Sequence, residues 1–132
     1  MEMTFSEPTQ EDLEFLSGAR DLLPEVAEYY LPDWKGGEFT PKLLDEIFKA
    51  WLEASEEFDT QDIVDSVGVA TGDWMVKNCQ MEWKVIEDQY GTALGTHREK
   101  PRYTCYPIDS VGKRVQSREV DFLQTICELA KP

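Results

Sequence analysis

Five polar side chains that could bind a ligand are expected on one face of a small β-sheet. They are Lys84, His97, Arg102, Thr104 and Tyr106, and they fall at alternate positions of three short segments with strand-like patterning. Side chains of this kind supply an ammonium, an imidazole, a guanidinium and two hydroxyls as hydrogen-bonding groups. The sequence therefore predicts a face that could hold a small ligand or another protein chain.

Two further residues bear on binding. Gly95 lies among the five polar positions, and a glycine within a strand can mark the close approach of a ligand or another chain, a bulge, or a place covered by the protein's own helices. Trp34 lies in a loop between Leu31 and Gly37 that contains Pro and Gly. We interpret it either as a lid over the core or as an exposed anchor of the kind enriched at interfaces.

The sequence offers little that could carry catalysis. His97 is the only histidine and no G-x-S-x-G elbow is present, so an exposed polar histidine is favoured over a catalytic base. Asp59, Asp62 and Asp65 lie three residues apart but lack the glycine and terminal glutamate of a calcium loop, so we interpret them as charges favoured at a helix start. No enzyme activity, catalytic residue, metal or cofactor is predicted.

The charge distribution restricts the class of partner. The net charge is -14, and residues 1–60 carry 16 acids and 4 bases, whereas residues 61–132 carry 11 acids and 9 bases. Phosphate contacts need a basic surface, so nucleic acids and anionic membranes are disfavoured as partners. The acidity either serves solubility or steers the protein onto a basic partner.

The compartment is predicted to be the cytoplasm. The first residues are acidic and lack the apolar segment of a signal peptide, and no apolar run approaches the length of a membrane span. Three cysteines without C-x-x-C spacing suggest neither a disulfide framework nor a zinc site. Cys105 and Cys127 lie in apolar patterns and are expected to be inert core thiols.

Two helices are predicted before residue 54. The first begins at a capping box formed by Thr9 and Asp12, and it is expected to break at Pro24. The second begins with Thr40 as N-cap and Pro41 as the first helical residue. Its apolar stripe faces the core, and its charged face, which includes Lys42, Asp45, Glu46, Lys49 and Glu53, is expected to be solvated.

A third helix is predicted from Asp59 or Thr60 to about Asn78. Gly68 and Gly72 lie on one face of it, and each costs about 1 kcal/mol relative to alanine in a helix interior. The close approach of a neighbouring backbone is the simplest reason for them, and a helix break near Gly72 is the alternative.

A three-stranded antiparallel meander follows, with strands at residues 81–85, 92–97 and 102–106 and turns at 88–91 and 98–101. This spacing predicts that Val85 pairs with Leu94 and Leu94 with Cys105. Trp83, Val85, Leu94, Tyr103 and Cys105 then form the core face, opposite the five polar side chains. An error of one residue in the register would exchange the two faces.

Two short helices are predicted to end the chain. Pro107 terminates the third strand, and a helix starts at Asp109 or Ser110 and runs to about Gln116. Ser117 is expected to cap the last helix.

Three segments in roughly the last 70 residues read VGVATGDWMV, MEWKVIEDQYGTALG and YPIDSVGKRV. Their most distinctive residues are Trp83, Val85, Asp88, Tyr90, Gly91 and Pro107. With these residues the segments resemble a bacterial family of uncharacterised domains, domain of unknown function 3806. The resemblance implies an α+β domain and no catalytic residues.

The prediction is therefore one α+β domain over residues 1–132. Residues 1–8 form a flexible arm, residues 9–58 an acidic helical half, and residues 59–132 a helix–meander–helix unit, with helices packed on one sheet face. The leading functional hypothesis is a non-enzymatic cytoplasmic interaction module, such as an inhibitor or immunity-type protein for a basic partner. The alternative is a small-ligand-binding domain that uses the polar sheet face.

Overall fold

The computed structural model describes residues 2–54 and 57–132. Met1, in the predicted flexible arm, and Ser55 and Glu56, in the predicted acidic helical half, lie outside the described residues. In chain order the elements are β1 (Thr4–Ser6), α1 (Gln10–Tyr30), α2 (Pro41–Glu53), α3 (Thr60–Asn78), β2 (Glu82–Asp88), β3 (Gly91–Arg98), β4 (Tyr103–Cys105), α4 (Pro107–Ser117) and α5 (Leu123–Ala130).

The antiparallel sheet has four strands in the order β1–β2–β3–β4, so the prediction of three strands and a helical start was wrong. Thr4–Ser6 belong to the predicted flexible arm, but they pair with residues 85–87 of β2. A segment of three residues is too short to show strand periodicity. Phe5 is held by stacking on His97, a contact that only the folded chain creates.

The β2–β3 hairpin has the predicted register. Val85 pairs with Leu94, and the strands run on until Asp88 pairs with Gly91, so both strands are longer than predicted. Gly91 adopts a φ of 134°, which favours glycine over residues with a Cβ. The register is a local property of this short connection, which is why the sequence predicts it.

The last strand, β4, is displaced by two residues from the register predicted for it, because Cys105 pairs with Thr96 rather than with Leu94. The strand β3 extends to Arg98, which the sequence analysis placed in a turn. The buried guanidinium of Arg98 donates to the carbonyl oxygens of Cys79 and Ala130 at 2.7 and 2.6 Å. A displacement of two residues preserves the side-chain alternation, so the two predicted faces keep their members.

Helix α1 continues through Pro24, so the predicted break was wrong. A proline inside a helix costs about 3 kcal/mol because it removes one hydrogen bond and crowds the preceding turn. Leu23, Val26 and Ala27 on either side of it are almost fully buried. Burial of this apolar stripe on both sides of the proline offsets the local cost.

The predicted helix starts are confirmed for the first three helices. Thr9 and Asp12 form the capping box of α1, and Thr40 and Asp59 cap α2 and α3 through their side chains. The predicted close approach at Gly68 is also confirmed, because a Cβ there would lie 2.6 Å from the Cα of Ile108 in α4.

The ends of the last two helices differ from the prediction. Helix α4 begins at Pro107 and ends at Ser117, which therefore does not cap α5. The N-terminus of α5 is instead bound by Asp45 of α2, whose carboxylate accepts hydrogen bonds from the backbone N–H groups of Leu123 and Gln124. Asp45 is buried, so its assignment to a solvated helix face was wrong.

The core lies mainly among the helices and on one face of the sheet. Helices α1, α2 and α3 share the largest buried apolar cluster with Val111 of α4 and Leu123 of α5. A second cluster joins Leu16 of α1 and Val69 of α3 to Trp83 of β2. No helix in residues 2–54 and 57–132 is long and apolar enough to cross a membrane.

Candidate functional site

The side chain of Phe5, in the edge strand β1, covers part of the polar sheet face. The ring of Phe5 stacks on the imidazole of His97 with 3.9 Å between centroids. The guanidinium of Arg102 lies 5.9 Å from the same ring. Only 5 % of the His97 surface is exposed, so the expectation of an exposed histidine was wrong.

Both imidazole nitrogens of His97 have partners within the chain. Nδ1 lies 2.8 Å from Oγ1 of Thr104 and Nε2 lies 2.9 Å from Oε1 of Glu99. The hydrogen bond to His97 lowers the pKa of the Glu99 carboxyl group. The histidine is therefore held in one orientation by Thr104 of β4 and by Glu99 in the turn that follows β3.

Lys84 is also engaged by acidic side chains of the same chain. Its ammonium contacts the carboxylate of Glu7, which follows β1, and lies 3.6 Å from Oε2 of Glu82. The hydrogen bond with Glu7 raises the pKa of Lys84. The structure thus brings Lys84, His97, Arg102 and Thr104 to one face, as predicted, and gives each of them a contact within the chain.

The space beside Gly95 is occupied by other residues of the protein. A Cβ at this position would lie 2.6 Å from Cδ1 of Ile86 and 2.7 Å from the carbonyl oxygen of Cys105. The absence of a side chain therefore permits the close approach of β4 and of Ile86. This supports the interpretation that the glycine accommodates the chain's own packing.

Tyr106 lies at the edge of an open cavity of about 410 Å³ on the same sheet face. Its hydroxyl donates to Oδ2 of Asp88 at 3.1 Å, and burial raises the pKa of the phenol. Asp109 and Lys113 of α4 line the cavity opposite β3 and form an ion pair at 3.2 Å. Tyr106 is the one predicted site residue that borders this cavity.

Trp34 lies apart from these residues. Its ring stacks on Phe39 with 5.2 Å between centroids, and it is half-buried against the helical core. A cavity of about 380 Å³ beside it is lined by Tyr30, Leu43 and Glu46. This geometry matches the lid interpretation more closely than that of an exposed anchor.

A larger apolar groove lies on the opposite sheet face, which is predicted to be core throughout. It has a volume of about 520 Å³, and we call it the α1–β3 groove. Residues of helices α1, α3 and α4 and of strands β2 and β3 line it, and its polar lining consists of Asp12, Thr92 and Asp109. Its apolar lining consists of Phe15, Val64, Val85, Ala93, Leu94, Ile108 and the backbone of Gly112.

The groove forms because the helices cover only part of this sheet face and β4 pairs only with the last three residues of β3. Trp83 and Cys105 are buried as predicted, but Val85 and Leu94, nearer the hairpin turn, are only half-buried. Phe15 of α1 is 37 % exposed above them. The sequence signal for this site is the alternating apolar pattern that places the paired residues Val85 and Leu94 on one sheet face. This pattern predicts core, because the sequence does not show where the helices stop covering the sheet.

The three cysteines carry free, buried thiols. Burial raises the pKa of Cys105 to about 11 and that of Cys127 to about 12, and it also raises the pKa of Cys79. The thiolate is the reactive form, so these side chains are poor nucleophiles in the folded protein. Within the described part of the chain, no group of three or more His, Cys, Asp or Glu side chains is arranged to hold a metal ion.

The family model described as Domain of unknown function (DUF3806) matches residues 42–124. The match begins in α2, so it extends further toward the N-terminus than the resemblance seen in the last 70 residues. No curated protein matches the chain significantly.

A crystal structure from Bacteroides thetaiotaomicron VPI-5482 has a similar fold, with a TM-score of 0.65 and 11 % sequence identity. The alignment covers 90 % of this chain and 43 % of that one, so this chain spans less than half the length of its structural relative. At this identity the similarity concerns the fold alone.

Proposed function

This chain belongs to the family Domain of unknown function (DUF3806). For this member of the family we propose a non-enzymatic protein-interaction module that binds a basic partner through the α1–β3 groove. The proposal places the protein in the cytoplasm. An inhibitor or immunity-type role toward a basic protein fits the same chemistry.

The observation that carries the proposal is an apolar groove whose lining also contains two carboxylates. The groove offers about 520 Å³ beside Phe15, Val85 and Leu94, and the removal of their exposed apolar surface from water by a partner is favourable. Asp12 and Asp109 in the lining favour a partner whose apolar residues are flanked by lysine or arginine.

The charge of the whole chain supports the same partner. Residues 1–60 carry 16 acids against 4 bases, and α1, which forms one wall of the groove, belongs to this acidic part. A surface of one sign raises the association rate with a partner of the opposite sign, and the effect weakens as salt screens the charges.

An affinity experiment tests the proposal. The immobilised protein is incubated with lysate of its native host at about 50 mM salt and again at about 300 mM, a range over which screening of exposed charges increases markedly. Leu94→Arg and Phe15→Lys place a positive charge in the groove, and Leu129→Arg places one on an exposed residue of α5 outside it.

We expect a basic protein that is retained by the wild type and by Leu129→Arg, lost with both groove variants, and released by the higher salt. Circular dichroism and thermal unfolding test whether each variant is folded. Capture of no partner, or of a partner indifferent to both salt and the groove variants, would contradict the proposal.

Small-ligand binding on the polar sheet face is a second candidate, favoured by the cavity beside Tyr106. A thermal-shift screen of metabolites tests it, with Tyr106→Phe and Arg102→Ala as variants. A ligand of this site should raise the melting temperature of the wild type more than that of Tyr106→Phe. If no compound raises it, and Arg102→Ala behaves as the wild type, the second candidate fails.

A further inference from the structure

The first half of β3 forms an open sheet edge. On one side it pairs with β2 along its whole length, from Gly91 to Arg98. On the other side β4 pairs only with Thr96, His97 and Arg98. The chain then enters α4 at Pro107, and the end of β4 packs against Gly95. The segment from Gly91 to Leu94 therefore has no neighbouring strand on its outer side within residues 2–54 and 57–132.

This edge presents backbone groups that a further strand could pair with. In an antiparallel sheet, alternate residues direct both N–H and C=O away from a given neighbouring strand. Thr92 and Ala93 are both exposed, and by this alternation one of the two directs its backbone groups away from β2. In the described parts of the chain no backbone hydrogen bond joins either residue to another loop or helix. An unpaired edge of this kind is a template for an added strand.

The two cavities of the site lie on opposite faces of this same edge. Thr92, Ala93 and Asp109 line both of them. One is the apolar α1–β3 groove, with Leu94 in its wall, and the other is the polar cavity, with Asp88 in its wall. Successive side chains of a strand point to opposite faces, so a strand added here would place them alternately in the two cavities.

We infer that this edge binds an extended segment of the basic partner by β-strand addition, as a strand that continues the line of β4 along Thr92 to Leu94. The inference rests on the proposed function and specifies how the partner is held. Backbone pairing supplies affinity in such complexes, and the pockets for alternate side chains supply specificity.

The side-chain chemistry of the two cavities defines the segment. The α1–β3 groove takes apolar side chains, because most of the residues that line it are apolar. The polar cavity takes lysine or arginine, because Asp88 and Asp109 face it together with one cation, Lys113, which is paired with Asp109. The expected segment therefore alternates apolar and basic residues, a pattern typical of a strand.

Synthetic peptides of about six alternating Lys and Leu residues test the inference by fluorescence anisotropy. Two further peptides carry N-methyl groups on alternate amides, one in each phase, so that each blocks hydrogen bonding along one edge of the peptide. Alternation of Glu and Leu serves as the charge control. The full-length protein is used, with Leu94→Arg as the groove variant and Leu129→Arg as the matched control.

We expect the Lys–Leu peptide to bind and the Glu–Leu peptide not to bind. One N-methyl phase should weaken binding about tenfold or more and the other should change it little, because only one edge of the peptide faces β3. Leu94→Arg should abolish binding and Leu129→Arg should preserve it. Equal effects of the two N-methyl phases, or no binding of the unmethylated peptide, would overturn strand addition. Neither result would affect the salt-dependent capture that tests the proposed function.

Discussion

Oδ1 of Asp45 in α2 accepts a 2.8 Å hydrogen bond from the backbone N–H of Leu123, the first residue of α5. Oδ2 of the same carboxylate accepts from the N–H of Gln124 at 3.1 Å. One buried side chain thus caps a helix that begins 78 residues further along the chain. This contact attaches the C-terminal helix to the helical core.

Replacement of Asp45 by alanine should lower the free energy of unfolding by about 2 kcal/mol, because two N–H groups at the start of α5 lose their acceptor. Glu46→Ala, at the exposed neighbouring position, is the matched control and should change stability by less than about 0.5 kcal/mol. Urea denaturation measures both values. Equal stability of the two variants would show that the cap contributes nothing.

The same carboxylate should make stability depend on pH. Burial raises the pKa of Asp45 above its ordinary value of 3.8, and the two backbone hydrogen bonds oppose this only in part. The folded protein then holds the proton more tightly than the unfolded chain. The contribution is therefore fully present below the ordinary pKa and is lost as the pH rises through the raised value.

Asp45→Asn isolates this effect, because asparagine does not titrate. The unfolding free energy of the wild type minus that of Asp45→Asn should decrease as the pH rises from about 3, below the ordinary aspartate pKa, toward neutrality. Urea denaturation at several pH values measures the difference. An increase with pH would mean that the hydrogen bonds outweigh burial and that the pKa is lowered.

Gly68→Ala should destabilise the protein by about 1–3 kcal/mol, although alanine is the better helix former. The new methyl group would lie 2.6 Å from the Cα of Ile108, so α3 and α4 would have to separate. Gly18→Ala in α1 is the matched control, since no atom lies within 4 Å of its added Cβ.

The control should stabilise the protein by about 0.5–1 kcal/mol through helix propensity alone. Thermal unfolding monitored at 222 nm compares the two variants with the wild type. A stabilising effect of both substitutions would contradict the close packing of α3 on α4.

Phe5→Ala tests the first strand and should cost about 1–2 kcal/mol, because the ring stacks on His97 and lies beneath Arg102. Met3→Ala removes an exposed apolar side chain from the same segment and should be nearly silent. Hydrogen exchange of the β2 amides near Ile86 should also accelerate in Phe5→Ala. Equal behaviour of the two variants would indicate that residues 2–6 act as an arm.

The sequence alone predicts the parts of this protein that depend on near neighbours in the chain. Thr9, Thr40 and Asp59 cap their helices because each side chain reaches an N–H three residues ahead. The pairing of Val85 with Leu94 follows from the short connection before Gly91, and alternation in the strands then divides the polar face from the apolar one.

Tertiary structure decides the features that join distant residues. Packing of Leu23 and Val26 keeps α1 helical through Pro24, and stacking on His97 makes Phe5 part of a strand. The α1–β3 groove exists because the helices do not fully cover the sheet at Leu94 and because β4 ends before Pro107. Where one element stops covering another depends on three-dimensional distances, and local sequence patterns carry no record of them.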